Sequence, residues 1–239
     1  MTIRIGPYFP LGRPGLETLP VVAGLTQWLR ADKGLYQTTD TSSPVTTNGQ
    51  TVGLWQDQSG NGNHATQASS GLRPTYASSV AAANNRQALS FDNSNDTMTT
   101  TNATPSTLTI FVVWACADTA GNHRAVESNT INWFLGTNGS MAYYSNGGVK
   151  NSAMTNNQFY IEMVNQDTGV GTLWKDGTQI AGTITAYDPV TLLLGDATFG
   201  QPTNGYIAEV IVFNSTLSSP NRKLIEGYLG TRYNISVPP

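Results

Sequence analysis

The sequence predicts an all-β chain, two antiparallel sheets packed as a sandwich, with one helix close to the C-terminus. From residue 21 onward, short β-branched and aromatic runs are punctuated by Gly, Asn, Asp and Pro, the pattern of many strands joined by tight turns. Its 239 residues suffice for one large sandwich with a substantial core. Only the segment after residue 218 combines a cap, an early proline and an apolar stripe at helical spacing.

Residues 1–20 carry Pro7, Pro10, Pro14 and Pro20 with glycines between them, which favours an extended arm over a helix or a central strand. The aromatic pair Tyr8 and Phe9 suits such an arm to packing on a neighbouring subunit; a loose tail is the alternative. Residues 21–239 then form the folded domain. Strands are expected near 27–31, 53–57, 87–91, 107–117, 132–135, 141–144, 159–165, 171–175, 191–194 and 206–213. The clearest hairpin turns at Asp176-Gly177, a pair that supplies the positive φ angles of a tight two-residue turn. Alternation fades at the end of 206–213, so that strand is expected to be buried on both faces there. Ser219 and Pro220 open the helix, with Leu224, Ile225, Tyr228 and Leu229 as the stripe that packs on the sandwich.

Charged residues make up 11% of the chain, against about 25% in typical soluble domains, and Asn, Thr, Ser, Gly and Gln fill the gap. The surface is therefore polar without being ionic. Twelve Lys and Arg scattered along the chain cannot neutralise a run of phosphates, which argues against nucleic acid. Cys116 is the only cysteine, and its apolar run points to an inert core thiol. Residues 1–10 lack the apolar stretch of a secretory signal, and no later segment approaches a membrane span. These features together suggest a virion component released by lysis, or an extracellular protein whose signal has been removed.

Four segments resemble one family in the same order: 25–32 (LTQWLRAD), 55–67 (WQDQSGNGNHATQ) followed by Arg73-Pro74, 88–92 (ALSFD) with Asp96, and 205–214 (GYIAEVIVFN) with Leu217-Ser218. Together they resemble the concanavalin A-like lectin/glucanase superfamily, most closely the laminin-G-like jelly-roll domains of bacterial and phage proteins. The Trp-x-Asp-x-Ser-Gly-x-Gly-Asn loop is the most specific of the four, and Asn93 stands where the family usually has glycine. The resemblance covers about residues 22–233. It implies a jelly roll with one concave sheet and a carbohydrate-binding or structural role.

Three chemistries are conceivable on these residues. The glycine-bearing loop offers Asp57, Asn61 and Asn63 as oxygen ligands for calcium, although the same side chains can instead cap the loop's own amides. The resemblance places a further aspartate ligand in the closing strand, where this chain has Ala208; strict alternation would turn Glu209 to the opposite face. Trp133, Tyr143, Tyr144 and Asn146, on two consecutive strands, are the candidate carbohydrate platform of aromatic faces and an amide, with a core role as the competing reading. Trp28, Trp55, Trp114 and Trp174 fall within apolar strand patterns and are assigned to the core.

Catalysis finds little support. The superfamily's glucanases use two carboxylates on one strand face, and the nearest case here is Glu162, whose same-face neighbour is Val164. His64 and His123 have no adjacent nucleophile motif and read as surface or turn residues. The expectation is therefore a non-enzymatic phage virion protein (capsid decoration, head fibre or tail component), a homo-oligomer such as a trimer, binding glycans or neighbouring subunits. A bacterial carbohydrate-binding module is the alternative.

Overall fold

The computed structural model describes residues 18–103, 105–144, 150–185, 191–195 and 198–239. With strands numbered in chain order, the first sheet contains β1 (Leu25–Arg30), β5 (Thr75–Val80), β6 (Arg86–Asp92), β8 (Leu108–Cys116), β13 (Phe159–Asp167), β14 (Val170–Lys175), β15 (Thr178–Thr185) and β17 (Asn204–Phe213). The second contains β2 (Leu35–Tyr36), β3 (Leu54–Trp55), β4 (Ala65–Thr66), β7 (Thr97–Ala103), β9 (Asn122–Ser128), β10 (Phe134–Asn138), β11 (Met141–Tyr144), β12 (Lys150–Ala153) and β16 (Thr191–Gly195). The helix α1 spans Ser219–Tyr233. The strand orders are β15-β14-β13-β8-β17-β6-β5 and β12-β11-β10-β9-β16-β7-β4-β3-β2. Every pairing among the described residues is antiparallel, as the sequence predicts for a two-sheet sandwich.

The first sheet is buried on both faces, which explains the apolar run of β8. Leu108, Ile110, Val112, Trp114 and Cys116 point into the core between the sheets, while Phe111, Val113 and Ala115 point to a second core under α1. Cross-strand register builds both layers. Leu173, Val164, Ile110 and Val212 face each other across β14, β13, β8 and β17 toward the second sheet, which answers with Leu135, Val126, Leu194 and Met98. One residue along, Trp174, Met163, Phe111, Ile211 and Trp28 form the opposite row, and α1 lays Ile225, Tyr228, Leu229 and Tyr233 into the same cluster.

Strand β17 changes partner half-way along. Its first residues pair with β6 and its last with β1, while β8 runs along its other side with a register shift between Ile207 and Glu209. The shift is a β-bulge, and it breaks the alternation on which the sequence reading of this strand relied. Ala208 packs in the cluster under α1, and Glu209 turns to the same side instead of the opposite one. There its carboxylate accepts from Trp28 Nε1 (2.6 Å), the Tyr228 hydroxyl (3.0 Å) and the Tyr233 hydroxyl (2.8 Å), with Arg232 Nε at 3.3 Å. Burial pushes Glu209 above the usual carboxylate range, and Arg232 and Trp28 pull it back.

Most elements lie where the sequence places them. Asp176 (φ 49°) and Gly177 (φ 75°) make the expected turn, closed by the Lys175–Thr178 pair. Residues 208–213 are buried on both faces as expected, and Cys116 is a buried thiol pushed up to about 11 by burial. Trp55 and Trp114 are fully buried between the sheets, whereas Trp28 and Trp174 are only half-buried, at the edge of the cluster under α1. The helix is capped one residue earlier, at Ser218, and Leu224 faces solvent at 52% exposure while Ile225, Tyr228 and Leu229 are buried. Strands β2, β4, β5, β7, β9 and β12 escaped the sequence reading. Of these, β7 is mostly threonine, and β9 carries His123, Arg124 and Glu127, all three buried. Of the proline-rich arm, residues 1–17 lie outside the described residues, and Leu19 packs on the cluster under α1.

Replacing Glu209 by alanine strips three donors of their shared acceptor and Arg232 of an ion pair, and removing one partner of a buried ion pair costs about 3–5 kcal/mol. Urea unfolding of Glu209→Ala should show a loss of that order. A midpoint equal to wild type would mean that the helix is held without it.

Candidate functional site

The Asp57 loop is a clamp on β1. Asp57 Oδ1 accepts from the backbone N–H groups of Trp28 (2.8 Å) and Ser59 (2.9 Å), and Oδ2 from the Ser59 hydroxyl (2.7 Å) and the Asn63 N–H (3.0 Å). Asn63 Nδ2 donates to the Thr26 carbonyl (2.7 Å), and Asn61 Nδ2 to the carbonyls of Leu25 (3.0 Å) and Thr26 (3.3 Å). A Cβ on Gly60 or Gly62 would meet nothing within 4 Å, so these glycines serve their positive φ angles (90° and 75°) rather than a tight fit. Calcium takes about six to eight oxygen ligands. Here both Asp57 oxygens are occupied by protein donors and both asparagines turn N–H groups onto carbonyls, so the set does not fit the ion. His64 belongs to the same turn, its Nδ1 accepting from the Asp57 N–H at 3.0 Å. Chelator is expected to leave the unfolding temperature unchanged, whereas Asp57→Ala should cost about 2 kcal/mol from lost charge-assisted hydrogen bonds; a chelator-induced fall would restore a metal to the loop.

The aromatic platform is not assembled as the sequence suggested. Trp133 is fully buried between the sheets, and its Nε1 donates to Gln166 Oε1 at 2.7 Å, so it offers no face to a ligand. Sequence spacing could not couple Trp133 to an amide 33 residues away. Tyr143 and Tyr144 lie on β11, opposite Gly136 and Leu135, and only their backbone is described. Asn146 lies outside the described residues.

The carboxylates do not form a catalytic pair in the described structure. Glu162 points into the core between the sheets, as Val164 does, and its Oε2 accepts from Trp114 Nε1 at 2.7 Å. Burial pushes its carboxyl up to about 8, against the pull of the Trp114 N–H. Asp96, pushed up to about 6 by burial and by Asp92, accepts the Asp92 N–H in the turn after β6. Among the described residues no three His, Cys, Asp or Glu side chains gather where they could hold a metal ion. His123 is buried rather than exposed, with Nδ1 2.7 Å from the Pro202 carbonyl.

Because the Glu162 pKa is raised on folding, its proton-bound form stabilises the fold fully below about 4.5, and that contribution is lost as pH rises through about 8. Wild type should therefore lose stability, on the order of a few kcal/mol, between about pH 5 and about pH 9. Glu162→Gln keeps a neutral side chain and should remove most of that fall in urea titrations; an unaltered slope would count against the assignment.

What the structure does gather lies on the outer face of the second sheet. Register aligns Phe134, Glu127, Leu193, Thr99 and Thr66 across five strands, all facing away from the core between the sheets. Beside them Arg124 lies between two rings, 4.0 Å from the Phe134 centroid and 4.3 Å from that of Phe199. It donates to Gln201 Oε1 (2.9 Å), Asn132 Oδ1 (2.6 Å) and Glu127 Oε2 (3.3 Å). Arg124 is buried, while Asn132, Phe199 and Gln201 are half-buried at the rim. A fixed guanidinium therefore orients two amides beside an aromatic ring, which are the groups that recognise a polyhydroxylated ligand. No motif marks Arg124, since Gln201 lies 77 residues along the chain, with Phe199 beside it.

No family model matches the chain, and no curated protein matches it. Solved structures do. Trypanosoma rangeli sialidase superposes with a TM-score of 0.60 at 10% identity, over 88% of this chain and 33% of that one. Domain 4 of AbnA, a GH43 extracellular arabinanase from Geobacillus stearothermophilus in complex with arabinotriose, gives 0.52 at 11% identity, over 84% of this chain and 98% of that domain. The binding domain of Paraclostridial Mosquitocidal Protein 1 gives 0.56 at 11%, over 88% and 53%. This chain thus spans about a third of the sialidase. At these identities the likeness is one of fold, a two-sheet β-sandwich.

Proposed function

We propose that this chain is a non-catalytic carbohydrate-recognition domain of the concanavalin A-like, laminin-G-like kind. The observation that carries the reading is the Arg124 clamp, which holds Asn132 and Gln201 beside Phe199 on the outer face of the second sheet. Amide groups fixed in this way exchange hydrogen bonds with sugar hydroxyls at little ordering cost, and a ring beside them covers the apolar face of a pyranose. The likeness to an arabinanase domain over nearly its whole length supports a binding module, because that domain was solved with arabinotriose. The positions of the carboxylates point the same way. Glu162 and Glu209 are buried and tied to indoles, Glu127 to Arg124 and Glu226 to Arg222.

The setting we propose is a phage particle, as a capsid decoration, head fibre or tail component in a homo-oligomer. The low charge and the proline-rich residues 1–20 favour a repeated, particle-borne domain, in which weak sites gain avidity. A module of a larger bacterial secreted protein is the alternative, favoured by the arabinanase likeness.

A glycan array that includes arabinan and sialylated oligosaccharides should show binding. Phe199→Ala, at the rim, and Gln201→Ala should each weaken it roughly tenfold, about 1.4 kcal/mol, in protein that still unfolds cooperatively. Silence across the array, or release of reducing sugar from a bound polysaccharide, would overturn the proposal.

A further inference from the structure

A second polar site lies at the turn from β1 to β2, away from the Arg124 face. Asp32 lines a cavity of ≈ 200 Å³ together with Lys33, Tyr36, Pro44, Val45 and Tyr76. At about 30 Å³ for each water, the space holds roughly seven waters, the scale of one sugar ring rather than of a chain.

The carboxylate in this cavity is built in, not incidental. Asp32 Oδ2 accepts from Arg30 Nη2 (2.7 Å) and Arg232 Nη2 (2.8 Å), and Oδ1 from Arg30 Nε (3.0 Å). Both arginines are buried, and they hold Asp32 in one orientation and keep it below the usual carboxylate range despite its burial. With one hydrogen bond on Oδ1, a lone pair remains for a ligand hydroxyl. The Tyr36 hydroxyl makes no hydrogen bond among the described residues and supplies a donor and acceptor at the wall. Pro44, Val45 and the two tyrosine rings supply apolar surface.

Charge decides the class of ligand. Behind the cavity Arg30 and Arg232 are matched by Asp32 and Glu209, so the floor is close to neutral, and the exposed Lys33 at the rim disfavours an amine. Neither a cation nor a phosphate is drawn there, whereas a neutral ring with hydroxyls on its edge and C–H groups on its faces finds a partner for each.

We infer that the Asp32 cavity is a separate subsite for a single neutral sugar unit, with Asp32 and Tyr36 binding its hydroxyls and Tyr76, Pro44 and Val45 lining its apolar side. The inference rests on the carbohydrate-recognition reading but not on the Arg124 face.

Amide chemical shifts of the full chain, titrated with methyl glycosides of glucose, galactose, mannose and arabinose, test it. At least one probe should move the resonances of residues 32–36, 44–45 and 76. Tyr36→Ala should weaken that response at least tenfold, and Val45→Trp, which fills the cavity without touching the Asp32 network, should abolish it. Shifts confined to the Arg124 face, or a response unchanged in Val45→Trp, would overturn the subsite and leave the proposed function standing. Absence of any response, with a silent glycan array, would remove both.

Discussion

A carboxylate can be buried only where donors and positive charge converge on it, and Glu209 imposes that requirement on much of the molecule. The bulge at Ala208 turns it under α1, where Trp28 from β1 and Tyr228, Arg232 and Tyr233 from the helix meet it. Apolar packing would hold the helix on the sheet in many positions. The Glu209 network selects one. Arg232 then reaches past Glu209 to Asp32, so the contact that seats the helix also orients a side chain at the surface.

Charge is scarce in this chain, and much of it lies inside. Arg30, Arg124, Arg222 and Arg232 are buried with Glu127, Glu209 and Glu226, each in an ion pair that joins elements or stiffens one. Arg222 pairs with Glu226 at 2.6 Å and stacks 3.7 Å from the Trp174 ring, fastening the first turns of α1 to β14. The surface that remains is rich in amides and hydroxyls. Such a surface exchanges hydrogen bonds with neutral polar ligands and attracts polyions only weakly, as the proposed carbohydrate recognition requires.

The framework could be read from the sequence wherever one physical rule acted alone. Apolar runs of strand length marked β8 and β13, Asp176-Gly177 marked its hairpin, and Ser-Pro with an apolar stripe marked the helix within one residue. The sites could not be read that way, because their members are far apart in the chain. Trp133 looked like a platform until Gln166 proved to be its partner. Arg124 draws on Asn132, Phe199 and Gln201, and Asp32 on a residue two hundred positions away. A bulge also defeated the rule of two at Glu209, since one inserted residue reverses the facing of every later side chain in the strand.

Glu209, Arg232 and Asp32 act as one unit, and on that unit both the seat of the helix and the orientation of Asp32 depend. A double-mutant cycle with Glu209→Gln and Asp32→Asn, two side chains linked through Arg232 and Arg30, measures this directly by equilibrium unfolding. A coupling of about 1 kcal/mol or more is the predicted result, while additivity within about 0.3–0.5 kcal/mol would contradict it.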